Sequence, residues 1–94
     1  MFIGTCLITL HIPAAGSLKE KRSVVKSILA RVRNEFNVSI AEVDLQEVYT
    51  QAVLGVACVS TSQQYAHGQL EQVVHFIEKI RPEAPLVDYE IEIL

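Results

Sequence analysis

The hydrophobic pattern of this chain switches between two periods, and these switches limit its fold more than any other feature of the sequence. Apolar residues recur at every second position in some segments, as in strands, and at every third or fourth position in others, as in helices. The pattern predicts strand, helix, strand, strand, helix and strand over Phe2–Ile12, Ser17–Phe36, Val38–Asp44, Thr50–Ser60, Gln63–Ile80 and Val87–Leu94. Residues 45–49 follow neither period, so the sequence leaves the shape of this connection open.

The start of the first helix is marked by its own signals. Pro13 and Gly16 end the preceding strand, because proline cannot continue a hydrogen-bonded ladder and glycine permits a sharp turn. Ser17 and Glu20 then form the S-x-x-E pattern of a capping box, in which each side chain accepts a hydrogen bond from a backbone amide near the other. Helix capping therefore explains Ser17 better than a role as a nucleophile.

The order of the elements predicts the fold class. Each helix carries an apolar stripe, although Gly68 weakens the second helix by about 1 kcal/mol relative to alanine. The strand over Thr50–Ser60 is apolar on both faces, so we expect it at the centre of a sheet. The 94 residues divide into two similar strand–helix–strand halves. They predict one α+β domain over residues 1–94, a ferredoxin-like βαββαβ sandwich with a four-stranded antiparallel sheet and two helices on one face.

Positive charge is concentrated in the first helix. Residues 1–40 hold six Lys and Arg against two acids, a balance of +4, whereas residues 41–94 have a balance of −7. At 100° per residue, four of the cations fall within about 60° of each other beside the apolar stripe. These are Lys19, Arg22, Lys26 and Arg33. They form either a solvated flank or a contact surface for RNA or another anion.

Lys21 differs from the other cations of the helix because it projects near the centre of the apolar stripe. In the predicted fold, the start of this helix lies at the same end of the sheet as Asp44 and Glu47. One interpretation is an ion pair of Lys21 or Arg22 with Asp44 or Glu47. The alternative is an anion site, in which Lys21 and the helix start at Ser17 hold a phosphate.

The face of the sheet opposite the helices is too apolar to lie open to solvent. If the even-numbered residues of the first strand pack on the helices, Ile3, Leu7, Val53 and Val59 face outward. Exposed apolar patches often mark interaction sites. We therefore expect this face to be covered, most simply by a second copy in a homodimer.

The sequence carries no catalytic or metal-binding signature, so we expect neither an enzyme nor a cofactor or metal. The three histidines lack ligand spacing, and Cys6 and Cys58 lie in alternating apolar runs that suit buried thiols. The central strands lack the aromatic residues that stack bases in RNA-recognition motifs. The first residues alternate like a strand rather than a signal peptide, and no apolar run is long enough for a membrane span. We expect a cytoplasmic protein with no membrane contact.

Three segments resemble the bacterial YlxP-like family, also called domain of unknown function 503. They are SLKEKR, FNVSIAEV and the closing VDYEIEIL. The matching positions are Ser17, Leu18, Lys19, Glu20, Lys21, Arg22, Phe36, Asn37, Val38, Ser39, Glu42 and Val43. The resemblance implies a ferredoxin-like domain without an established activity. The family's genes often lie among genes for translation and ribosome maturation, which implies a connection with RNA or the ribosome.

Two functions follow as hypotheses. The first is an accessory factor that binds RNA or a ribosomal particle through Lys19, Arg22, Lys26 and Arg33. The alternative is a dimeric small-ligand or protein-interaction module, with an anion site at the start of the first helix around Ser17 and Lys21. The first depends on cations that are free for phosphate contacts, and the second depends on a lysine that is free for an anion.

Overall fold

A computed structural model describes all 94 residues and has the predicted order of strands and helices. The elements are β1 (Phe2–His11), α1 (Leu18–Glu35), β2 (Ser39–Asp44), β3 (Gln51–Ser60), α2 (Gln63–Ile80) and β4 (Leu86–Ile93). Neither helix is both long and apolar enough to cross a membrane.

The four strands form one antiparallel sheet in the order β2-β3-β1-β4. The two central strands, β1 and β3, pair along their whole length, from Phe2 opposite Ser60 to His11 opposite Gln51. Both helices pack on one face of this sheet. The predicted ferredoxin-like βαββαβ sandwich is therefore confirmed, including the central place of the strand that is apolar on both faces.

The core lies between the sheet and the helices and consists of a single cluster of 19 buried apolar residues. The even-numbered residues of β1 face the helices, where Cys6, Ile8 and Leu10 are buried. Its odd-numbered residues face the open side of the sheet, as the alternation predicted. Both cysteines are free and buried, which confirms their interpretation as core thiols.

Side chains cap both helices. Ser17 Oγ accepts a hydrogen bond from the Glu20 amide at 3.1 Å. The Glu20 carboxylate accepts from the Gly16 amide, one residue before the position that a standard capping box uses. Ser62 Oγ caps α2 in the same way, accepting from the Tyr65 amide at 3.2 Å.

One face assignment in the last strand is wrong. The apolar alternation of Val87, Tyr89, Ile91 and Ile93 in the sequence predicts that Val87 shares a face with Tyr89, but Val87 is 59% exposed. The β1–β4 register shifts after Thr9, so that Asp88 lies opposite Thr9 and Leu86 lies opposite Leu10. Val87 is the extra residue of this bulge, and a bulge interrupts the alternation of side chains along a strand.

Two glycines offer a matched test of the packing. A Cβ atom on Gly4 would lie 3.0 Å from Leu70 Cδ1 and 3.2 Å from Cys58 Sγ, whereas a Cβ atom on Gly68 would have no neighbour within 4 Å. We expect Gly4→Ala to lower the free energy of unfolding by about 1–3 kcal/mol through overpacking. Gly68→Ala should raise it by about 1 kcal/mol through helix propensity. Urea denaturation measures both, and equal effects of the two substitutions would contradict this packing.

Candidate functional site

The ammonium group of Lys21 is buried between α1 and the β2–β3 connection. Its Nζ donates to the carbonyl oxygens of Leu45 and Val48, each at 2.6 Å, and lies 2.7 Å from Glu42 Oε2. The Lys21 side chain is fully buried. A lysine ammonium has three N–H donors, and here three oxygens surround it. The ammonium group therefore has two hydrogen bonds and a carboxylate counter-charge inside the protein.

The local sequence turns the two carbonyl groups toward Lys21. Leu45 adopts the left-handed backbone conformation, with φ of 57°, and its carbonyl also accepts from the Val48 amide at 3.0 Å. Asp44 Oδ1 accepts from the Leu45 amide at 2.8 Å, which holds the entry into this turn. The sequence left the shape of residues 45–49 open. In the structure they form a tight turn around the ammonium group of Lys21.

The partner of Lys21 differs from the two predicted carboxylates. The ion pair is made by Glu42, whereas Asp44 bonds to the backbone and Glu47 is exposed and makes no ion pair with Lys21. Glu42 lies two residues after the buried Ile40, so both side chains point to the helix side of β2. A carboxylate in phase with a buried apolar residue was the signal in the sequence that could have identified Glu42.

The groups at the start of α1 that were predicted to hold an anion are already bonded within the protein. All three donors of Lys21 are engaged, and the Glu20 carboxylate accepts from the Gly16 amide just before the helix. Ser17 Oγ is engaged as the cap. A bound phosphate would have to displace the Glu20 carboxylate and would gain no contact from Lys21.

Three cations of α1 remain free on one flank of the helix. Lys19, Arg22 and Lys26 are exposed and take part in no ion pair, and we call them the basic strip. The fourth predicted member, Arg33, donates from Nη2 to the carbonyl oxygen of Ile40 at 2.7 Å. Because Ile40 lies in β2, this bond places the flank of the basic strip beside the β2 edge of the sheet.

An open groove of about 630 Å³ lies between the helices at the opposite end of the sandwich. The end of α1 lines one side with Glu35 and Phe36, followed by Asn37. From α2, the groove is lined by Gln64, Tyr65, Gly68, Gln69 and Gln72. We call it the amide groove, since four of its side chains are carboxamides. The sequence patterns did not reveal it, because its two sides come from different parts of the chain.

The open face of the sheet carries apolar side chains and a row of acids. Leu7 is 51% exposed and Val59 is 66% exposed, as the alternation of their strands predicted. Glu90 lies opposite Leu7, and Glu92 lies opposite Thr5. The face is thus acidic along β4 and apolar toward β3 and β2.

Burial holds the two thiols of the core in their neutral form. Burial raises the pKa of the Cys6 thiol to about 11 and also raises the pKa of Cys58. The thiolate is the reactive form of cysteine, so at neutral pH neither residue is a nucleophile. The Tyr89 hydroxyl donates to Glu71 Oε2 at 2.9 Å, and this hydrogen bond raises the pKa of Tyr89. No group of three or more His, Cys, Asp or Glu side chains is placed to hold a metal ion.

Comparisons with known proteins identify relatives and structural neighbours. The family described as "Protein of unknown function (DUF503)" matches residues 3–91. The Uncharacterized protein YlxP of Bacillus subtilis (strain 168) is 48% identical over 64 residues, which cover 68% of this chain and 70% of that protein.

Two solved structures of designed proteins are similar in fold. The de novo designed LFR1 1, a solution NMR structure with a ferredoxin fold, has a TM-score of 0.59 at 14% identity and covers 98% of this chain and 85% of its own. The de novo designed Foldit4 has a TM-score of 0.55 at 12% identity, over 100% of this chain and 97% of its own. At such identities the likeness concerns the fold alone.

Replacing Lys21 by methionine should strongly destabilise the protein. The substitution keeps the apolar stem but leaves the Glu42 carboxylate and two carbonyl groups without their donor. Removing one partner of a buried ion pair costs about 3–5 kcal/mol, and we expect a loss of this size in urea denaturation. Lys19→Met is the matched control, because an exposed substitution should change stability by no more than about 0.5 kcal/mol. Equal stability of the two variants would show that the Lys21 contacts contribute nothing.

Proposed function

This chain belongs to the DUF503 family, and we propose that it is an RNA-binding accessory factor of the translation apparatus that acts through the basic strip. The observation that carries the proposal is the basic strip itself, three exposed cations on one flank of α1 that have no ion-pair partner. A connection with translation is what the resemblance to the YlxP-like family implies. The chemistry of the strip supplies the contact with phosphates.

The contrast with the bonded cations supports a role in binding. Lys21, Arg33 and Arg81 each hydrogen-bond within the protein. The basic strip makes no such bonds, although the chain has eleven acids and a net charge of −3. Cations that served stability would be expected beside some of these acids. The cations of the basic strip are instead grouped on one flank of α1 without an ion-pair partner, so they are free for a negatively charged partner.

The balance of charge suits a selective contact with RNA. Lysine and arginine side chains gain affinity for nucleic acid mainly because they release counterions from the phosphates. The acids of residues 41–94 oppose binding elsewhere on the surface, so the RNA would be directed to α1. Arginine can make a bidentate contact to phosphate that lysine cannot make. Arg22 is the one residue of the basic strip that can do so.

The alternative function, an anion site at the start of α1, has less support. It depends on Lys21, whose donors are engaged by Leu45, Val48 and Glu42. It also depends on backbone amides beside Ser17, where the Glu20 carboxylate already accepts from Gly16. The basic strip, in contrast, consists of cations without an ion-pair partner.

Binding of isolated ribosomal subunits at a series of salt concentrations tests the proposal. Affinity should fall as salt rises, because each phosphate contact releases about 0.7–0.9 counterions. Arg22→Gln and Lys26→Gln should each reduce the slope of log K against log salt by about 1. Lys79→Gln is the matched control, since Lys79 is an exposed and unpaired cation on α2, and it should leave the slope unchanged.

Two results would contradict the proposal. One is a lack of binding to ribosomal subunits by the parent protein at low salt. The other is an equal change of slope in Arg22→Gln and Lys79→Gln, which would mean that overall charge rather than the basic strip governs binding.

Self-association through the open face of the sheet stays a prediction. Its support is the exposure of Leu7 and Val59 on the face that the helices leave uncovered. We expect a dimer in sedimentation velocity at tens of micromolar protein, and we expect Leu7→Glu to convert it to a monomer by placing a carboxylate in the apolar contact. A parent protein that sediments only as a monomer would refute this prediction.

A further inference from the structure

We propose that the amide groove receives one unpaired base of the RNA. The inference rests on the proposed function, because the basic strip would hold the phosphates of the same RNA. Phosphate contacts position a nucleic acid, whereas contacts with bases provide selectivity. The amide groove would therefore supply what the basic strip lacks, a preference for RNA with unpaired nucleotides.

The first observation behind the proposal is Gly68. It lies inside α2, where glycine is less favourable than alanine, yet a Cβ atom there would meet nothing within 4 Å. Packing within the protein therefore does not require glycine at this position. Since Gly68 lines the amide groove, the missing side chain leaves the helix backbone open to close approach by a ligand.

The second observation is the chemistry of the lining. Asn37, Gln64, Gln69 and Gln72 line the groove, and each carboxamide offers a donor beside an acceptor. The edges of nucleobases present the same pairing of donors and acceptors. The groove has no cation and contains the Glu35 carboxylate, which disfavours a phosphate inside it. A neutral base fits this lining, while the phosphates would remain outside.

The third observation is an aromatic surface at the groove. Tyr65 is 66% exposed, so one of its faces is available for stacking. Phe36 lines the groove from the α1 side and is held by Phe76, with ring centroids 5.4 Å apart and an edge-to-face angle of 80°. Proteins that bind unpaired bases commonly stack them on aromatic rings while polar groups contact the base edges.

The basic strip and the amide groove lie on opposite flanks of α1. Arg33 places the strip beside β2, and Glu35 places the groove beside α2. The exposed surface of α1 between them carries the uncharged Ser23, Ala30 and Asn34 and the cation Arg31, whereas the exposed Glu20 lies in the first turn, far from the groove. An RNA strand that crosses this helix, about 10–12 Å wide, would reach both surfaces without passing a carboxylate before Glu35.

Fluorescence anisotropy with two labelled probes tests the proposal. One probe is a single-stranded RNA of twelve nucleotides of mixed sequence, and the other is a twelve-unit abasic strand with the same phosphates. We expect the parent protein to bind the RNA more tightly than the abasic strand. Stacking on an aromatic side chain is worth about 5- to 150-fold in affinity per base, so Tyr65→Ala should remove most of this difference.

Gly68→Met tests the groove without weakening the helix. Methionine is a better helix former than glycine and would fill the groove, so the variant should melt at a higher temperature yet lose the preference for the RNA over the abasic strand. Gln72→Leu removes one carboxamide from the groove, and Gln63→Leu is its matched control outside the groove. Only Gln72→Leu should reduce the preference for the RNA over the abasic strand.

The outcomes separate this inference from the proposed function. If both probes bind equally, or if Gly68→Met keeps the preference, the inference is wrong while the basic strip can still bind phosphates. If the preference is lost in Gly68→Met but Arg22→Gln leaves the salt dependence unchanged, the groove binds a base and the proposed role of the basic strip is wrong. If the parent protein binds ribosomal subunits but neither probe at low salt, the inference alone is wrong, and if it binds none of the three, both are wrong.

Discussion

The buried ammonium group of Lys21 is the constraint on which much of this structure depends. It connects α1 to Glu42 in β2 and to the carbonyl groups of Leu45 and Val48 in the β2–β3 connection. A charge in a low-dielectric interior is tolerated only when all its hydrogen-bonding groups are satisfied. The turn after β2 therefore has to present two carbonyl groups to the helix, and this requirement gives the connection its left-handed residue.

The two ends of the sandwich consequently differ in what they can bind. At the end where α1 starts, Lys21, Glu20 and Ser17 satisfy one another or the backbone. At the end where α1 finishes, the helices leave a groove lined by carboxamides and two aromatic rings. Polar groups that are already bonded add little to binding, since a ligand would have to replace bonds of similar strength. Binding is therefore expected at the free flank of α1 and in the amide groove.

The sequence predicted the fold well and the contacts of the site only in part. Element order was predictable because hydrophobic period and capping act within a few residues of the chain. Val87 was misplaced because its exposure depends on a bulge in the pairing of β4 with β1. Glu42 was missed as the partner of Lys21 because their contact joins residues 21 positions apart, and several carboxylates near β2 were compatible with the pattern. Arg33 was grouped with the free cations although its guanidinium reaches the carbonyl of Ile40.

By itself, the sequence determined the order of strands and helices, the cap of the first helix and the segregation of positive charge into α1. These properties follow from local periodicity and composition, which the chain carries whether or not it is folded. The tertiary structure alone decided which cations are bonded, how residues 45–49 turn and where the carboxamides of α2 meet the end of α1. The reason is that each of these features joins residues from different elements, and only the packing of helices on the sheet sets their distances.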